Sequence, residues 1–182
     1  MAMVHNAEWA AWLNSAVNVL IANNVKVVFD HGLKYSHFEE DPLELVVNCS
    51  ADKWHLTFIH EYHHFCQWKE ESDNWPEDDI YTPILDDPSN ADRAHIEMAV
   101  ACEKECEEWS LKAIQKLFPK DAPQYCRAAN AYLAFWNVID KLGAWYKIPP
   151  YVVPEVVSVM PFDRIVVVES ESLTELIRTH CL

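Results

Sequence analysis

Glycine is scarce in this chain, with two in 182 residues. Half of the residues are hydrophobic and eight are tryptophan, so the scarcity marks a helix-rich globular composition, not a disordered one. Positive charge is also short: 14 Lys and Arg face 29 Asp and Glu, for a net charge of −15 and a pI near 4.8. Such a chain repels phosphate backbones and anionic bilayers, which argues against nucleic-acid and membrane partners. The acidic charge is best read as serving solubility. No basic N-terminal region precedes an apolar stretch, so no signal peptide is expected. No apolar run approaches the length of a membrane span. These absences point to a cytoplasmic protein whose six cysteines are free thiols. No C-x-x-C pair occurs among them. Cys102 and Cys106, four apart, could join a histidine at a metal, but small buried helix residues are the better reading. No repeat, low-complexity tract or linker appears, and residues 1–182 read as one domain.

What is present is His60-Glu61-Tyr62-His63-His64, an H-E-x-x-H pattern. Histidines four apart on a helix share a face, so both imidazoles reach one metal ion. Glu61 points about 100° round the helix, where it can approach a water without being a ligand. This is the layout of a zinc hydrolase with an open metal position. His63 could enter through an i, i+3 spacing, although the four-residue spacing favours His60 and His64. The surrounding segment, Asp52 to Trp68, has no Gly or Pro, and Ser50 or Asp52 can cap it. Trp54, Phe58 and Phe65 form one apolar stripe, with Ile59, Tyr62 and Cys66 on the other side. A helix apolar nearly all round is buried, and its histidines and glutamate then need partners. A metal supplies them; hydrogen bonds to core neighbours are the alternative. His31, His37 and His55 read as surface or strand-end residues.

Around this helix the pattern predicts an α+β, mainly helical fold. A helix is expected from about Asn6 to Asn23, then strands at 25–29 and 43–49, giving a small sheet packed on the motif helix. Residues 70–92 read as a long acidic loop with Pro76, Pro83 and Pro88, and without the spacing of a calcium loop. Such a loop often borders a site, although a solvated surface excursion is the slightly favoured reading. Further helices are expected at 91–117, from about Pro123 to Leu142 with Gly143 as the stop, and at Ser172–His180 with Ser172 and Glu175 as a capping box. The segment 144–161 reads as extended, and Ile165–Val168 as a third strand.

The 91–117 helix is the natural source of a third ligand. Ile96, Ala99, Val100, Cys106, Ser110, Ala113, Ile114 and Leu117 define its apolar stripe, and Glu103 falls at the centre. A carboxylate there needs a partner, so Glu103 is the preferred ligand. Glu107, one turn on, would orient a ligand histidine or else pair with Lys104 or Lys112. Glu97 falls nearly opposite.

These residues resemble the zincin metallopeptidases, and within them the gluzincin branch. There, two motif histidines and a downstream glutamate, often beginning E-x-x-A-D, hold zinc. Glu103-Lys104-Glu105-Cys106-Glu107 is a loose version, with Cys for Ala and Glu for Asp; Glu97-Met98-Ala99-Val100-Ala101 is the rival frame. The chain is also similar to small zincin-like proteins encoded by tailed bacteriophages. That resemblance runs through His60–Trp68, Cys102–Lys104, Ala129–Tyr132 and Trp145–Tyr151. It implies a zincin-like fold and a peptidase acting on a peptide or protein substrate. In that reading His60, His64 and Glu103 hold Zn²⁺, Glu61 is the general base, and an electrophilic partner comes from His95, Tyr132, Tyr146, Tyr151 or His180. Two alternatives stand beside it: a catalytically inactive zinc-binding interaction module, and a helical protein with no metal.

Overall fold

The computed structural model describes residues 7–32, 35–76 and 79–182. It is α+β and mainly helical. The first helix, α1 (Ala7–Ala22), buries Ala16 and Leu20 and ends where Asn24 takes a left-handed φ of 62°, a conformation asparagine tolerates well. Asn6, the expected first residue of this helix, lies outside the described residues, as do Glu77 and Asp78 of the acidic segment.

Three strands follow: β1 (Lys26–Asp30), β2 (His37–Glu40) and β3 (Leu43–Asn48). Their order is β1-β3-β2, with β3 parallel to β1 and antiparallel to β2. Central β3 buries Leu45, Val46 and Val47 in succession, as a strand covered on both faces must. β2 is the strand that sequence reasoning missed. It is four residues long and carries three polar side chains, too short for alternation to register. The expected third strand at 165–168 is not one. There the Val166 N–H donates to the side-chain oxygen of buried Asn130 at 2.8 Å, and Asn130 also donates to the carbonyls of Pro161 and Arg164. A buried amide takes the place of a strand neighbour.

The motif helix, α2 (Trp54–Lys69), lies between two apolar clusters. Phe58 and Phe65 pack on Leu20, Leu45 and Val47. Leu56 and Ile59 pack on Ile114, Leu117 and Leu133. Burying either phenylalanine contributes about 2 kcal/mol, so helix and sheet hold each other in register. Lys53 occupies the N-cap position with no side-chain cap bond; neither Ser50 nor Asp52 caps the helix.

The acidic segment is not one loop. It contains α3 (Tyr81–Asp86) and a single 3-10 turn at Pro88–Asn90. Asp92 then caps α4 (Arg93–Leu117) by accepting from Ala94 N. The expected helix from Pro123 to Leu142 is broken in two: α5 (Ala122–Asn137) and α6 (Ile139–Leu142). Arg93 explains the break, since its guanidinium donates to both the carbonyl and side-chain oxygens of Asn137 at 2.7 Å. Gly143, at φ 69°, stops α6. The segment expected to be extended contains a 3-10 turn at Pro150–Val152 and α7 (Pro154–Ser158), each started by a proline whose φ already suits a first helical position. The last helix, α8 (Glu171–Cys181), is capped by Ser170, which accepts from Leu173 N, and not by Ser172. Among the described residues no helix is long and apolar enough to cross a membrane.

Candidate metal centre

The buried stripe of α4 is apolar at both ends and polar in the middle. Ile96 and Ala99 enter one core cluster, and Ile114 and Leu117 another. Between them Glu103, Cys106, Glu107 and Ser110 are all buried. The facing stripe of α2 carries His60, His63, His64 and Gln67, an i, i+3, i+4, i+7 series on one helical face. Two helices thus enclose a polar belt within an otherwise apolar interior.

Three atoms converge in this belt. His60 Nε2 and His64 Nε2 are 3.0 Å apart. Glu103 Oε2 lies 3.7 Å from the first and 3.6 Å from the second. Tetrahedral zinc with bonds near 2.0–2.1 Å holds its ligand atoms about 3.3 Å apart, within the range of these separations. Glu103 is 6% exposed, and its Oε2 is buried with no hydrogen-bond donor. A buried carboxylate oxygen left so is costly, and a cation at the meeting point of the three atoms would satisfy it. Glu97, the rival ligand, points to solvent and pairs with Arg93 at 3.2 Å.

The imidazoles are gripped from behind. His60 Nδ1 is 3.4 Å from Glu107 Oε1, and Tyr125 OH donates to Glu107 Oε2. Lys104 pairs with Glu108 instead, so Glu107 faces His60 and not a lysine. His64 Nδ1 is 3.0 Å from Gln67 Oε1. Cys106 sits on the Nδ1 side of His60, its Sγ 3.6 Å from that nitrogen and 3.2 Å from the His60 carbonyl oxygen. Its sulfur and one nitrogen each of His60 and His64 all lie within 4.8 Å of one another, so the thiol is itself a possible ligand atom beside Glu103. It approaches the opposite edge of His60 from the one that Glu103 faces. Cys102 Sγ points to Gln67 Oε1 at 3.8 Å.

The local field suits a cation. Burial works against charging His60, but Cys106 and Glu107 outweigh it and hold the imidazole well above the ordinary histidine range. Burial likewise opposes charge on His64, and Cys106 and Glu103 reverse the balance. Burial would raise Glu103, yet His64 and then His60 hold it below the usual carboxylate range. His63 belongs to a different environment. It contacts Ser110 Oγ at 3.0 Å, and burial followed by the charge of His60 lowers it to about 4.

A cleft of ≈ 220 Å³ opens onto the three atoms. Glu61 lies in its wall beside His60 and His64; burial pushes its carboxyl above the usual range, as suits a group that must take up a proton. Of the five candidates for an electrophilic partner, Tyr132 lines this cleft and His95, Tyr146, Tyr151 and His180 do not. Sequence reasoning missed Tyr81 and Trp75, which border it, and Ser36, His37 and Phe38 at the edge of β2. The acidic segment therefore does border the site, through its two aromatic residues. Burial, and then the charge of Glu103, raise the phenols of Tyr81 and Tyr132 well above the ordinary tyrosine value, so both remain hydroxyl donors. No family model, curated protein or solved structure matches the chain.

Proposed function

We propose that this chain is a zinc-dependent hydrolase of zincin-like, gluzincin type that cleaves a peptide or amide bond. The observation that carries the reading is Glu103 Oε2: it is buried, without a donor, and faces two imidazole nitrogens at 3.6 and 3.7 Å. His60, His64 and Glu103 would hold the ion, and a set of two nitrogens and one oxygen suits zinc. The zincin-like assignment is supported by a small sheet packed on the H-E-x-x-H helix and by a downstream helix that supplies the glutamate.

When bound, zinc supplies Lewis acidity to a carbonyl oxygen and acidifies water at its open position. The chain's own residues do the rest. Glu61, raised by burial, takes the proton of the attacking water and returns it to the leaving nitrogen. Tyr132 and Tyr81 present hydroxyl donors from the cleft wall to charge developing on the carbonyl oxygen. Trp75 and Phe38 line the cleft beside them.

The cleft, at ≈ 220 Å³, is small, and this supports a second reading, an inactive zinc-holding interaction module. The test is metal content of wild type and His64→Ala by elemental mass spectrometry, followed by peptide-library cleavage with Glu61→Gln. One zinc per chain, lost on His64→Ala, with cleavage lost on Glu61→Gln, is the expected result. Zinc without cleavage leaves the interaction module. No zinc, and no stabilisation on adding it, rules out both.

A further inference from the structure

His64 is held by a chain of side chains that runs outward to the turn after α2. Its Nδ1 lies 3.0 Å from one terminal atom of the Gln67 amide. The other end of that amide decides which atom this is. It lies 2.9 Å from the Cys102 carbonyl oxygen and 2.8 Å from Glu105 Oε2, and both of these only accept. That end is therefore the amide nitrogen, donating twice, and the atom facing His64 is the oxygen. The reverse orientation would press an amide oxygen against two acceptors. Glu105 is itself anchored by Ser72 Oγ, which donates to the same carboxylate oxygen at 2.5 Å. Ser72 is tied back in turn, its N–H donating to the Gln67 carbonyl at 3.0 Å.

The consequence falls on His64. Facing an oxygen that cannot donate, Nδ1 carries a ring proton, so in the neutral imidazole that binds a metal the lone pair is on Nε2. That lone pair points to the place where His60 Nε2 and Glu103 Oε2 also converge. Gln67 is fully buried, and an apolar side chain of similar length would fill the same space. A buried, fully bonded amide gains little net stability over such a residue. What the amide adds is direction, since it fixes both the tautomer and the angle of one imidazole.

We propose that Gln67, held by Glu105 and Ser72, is a positioning residue that sets His64 to bind a divalent metal. The proposal rests on the metal-centre reading above. Gln67 plays for His64 the part that Glu107, backed by Tyr125, plays for His60. The difference between the two is electrostatic. A carboxylate stands behind His60, whereas a neutral amide stands behind His64, where a second carboxylate would lie against Glu105.

The test measures zinc affinity by chelator competition, and the visible spectrum of the cobalt(II)-loaded protein, in wild type, His64→Ala, Gln67→Met, Gln67→Glu and Glu105→Ala. Thermal melts of the metal-free proteins accompany both. Loss of the acceptor in Gln67→Met should weaken zinc about 10–100-fold and shift the cobalt band. Gln67→Glu should stay within about threefold of wild type, because a protonated carboxyl can donate to Glu105 and still accept from His64. A role in packing alone predicts the opposite order, with Met tolerated and Glu harmful in the buried site. Wild-type affinity and an unchanged cobalt spectrum in Gln67→Met would overturn the proposal while leaving the metal centre intact. If Gln67→Met does not fold, Glu105→Ala, at a half-buried position, decides: a loss of about 3–10-fold is expected, and wild-type affinity overturns the proposal. Absence of zinc binding in wild type overturns the metal centre and this proposal together; zinc lost only in His64→Ala separates the two.

Discussion

Among the described residues, two places gather histidine and acidic side chains within metal-binding reach, and they could hardly differ more in how those groups are satisfied. At the sheet, His37, Glu39 and Glu44 lie within 4.8 Å of one another. His37 and Glu39 are substantially exposed, and Glu44 already pairs with Lys26 at 2.9 Å. Water and a lysine meet every demand there, and a metal would have to displace them. In the helical belt, Glu103 Oε2 is buried with no hydrogen-bond donor, and each imidazole is braced on its far side. Proximity is common on an acidic surface. A site is marked by buried groups whose demands the protein itself leaves unmet.

The contrast can be broken most directly by removing one histidine from each place. His64→Ala should lower zinc affinity by about 10³-fold or more, as loss of one of three ligands implies, whereas His37→Ala should change it by no more than about threefold; equal losses in a chelator competition would end the distinction. Next in size is catalysis. Glu61→Gln should cut peptide hydrolysis about 10²-fold or more while zinc content stays at wild type. Glu39→Gln, at the sheet, should leave both unchanged.

Glu103→Leu sharpens the comparison on stability. In the metal-free protein it removes a buried carboxylate that His64 and His60 hold ionised and leaves those raised imidazoles without it, so chemical denaturation should show a loss of about 3 kcal/mol. Zinc should then no longer raise the melting temperature, whereas at about a thousandfold excess over Kd it should add about 4 kcal/mol to wild type. Glu97→Ala should behave as wild type in both respects.

The smallest effect concerns His55, outside both clusters, whose ring packs 4.6 Å from that of Phe118. Burial is the main cause that lowers its pKa, partly opposed by Asp121. Because the folded value lies below that of the unfolded chain, the unfolded chain takes up a proton first as pH falls. The contribution of His55 to stability is therefore present above about pH 6.5 and lost as acidity increases below it. His55→Phe should flatten the slope of the urea midpoint between pH 7.5 and 5; an unchanged slope would place that titration elsewhere.

Periodicity alone located the helices that carry the belt, because a side chain every three or four residues must face the same way. His60, His64 and Glu103 were legible for that reason: two sit at a metal-binding spacing, and the third sits at the centre of an apolar stripe. Gln67 was within reach of the same reasoning, seven residues after His60 and three after His64. A neutral amide, however, raises no question of charge, and nothing drew attention to it. The choice between Glu103 and Glu97 was open in the sequence, because both stand on one helix near a loose motif. Packing places Glu103, and not Glu97, on the face of α4 that meets the histidines of α2.

Other features had no local signal at all. The break after Asn137 depends on Arg93, more than forty residues away, capturing a carbonyl. The strand expected at 165–168 gave way to the side chain of Asn130. Tyr81 and Trp75 came to the cleft from a segment whose acidic composition said only that it was exposed. The sequence by itself determined the helical faces, the H-E-x-x-H pair and the acidic charge, since these depend on neighbours within a turn or on composition. Only the tertiary structure decided which carboxylate meets the histidines, what braces them and what walls the cleft. Those relations join residues far apart in the chain, and they exist only once α2 and α4 pack face to face.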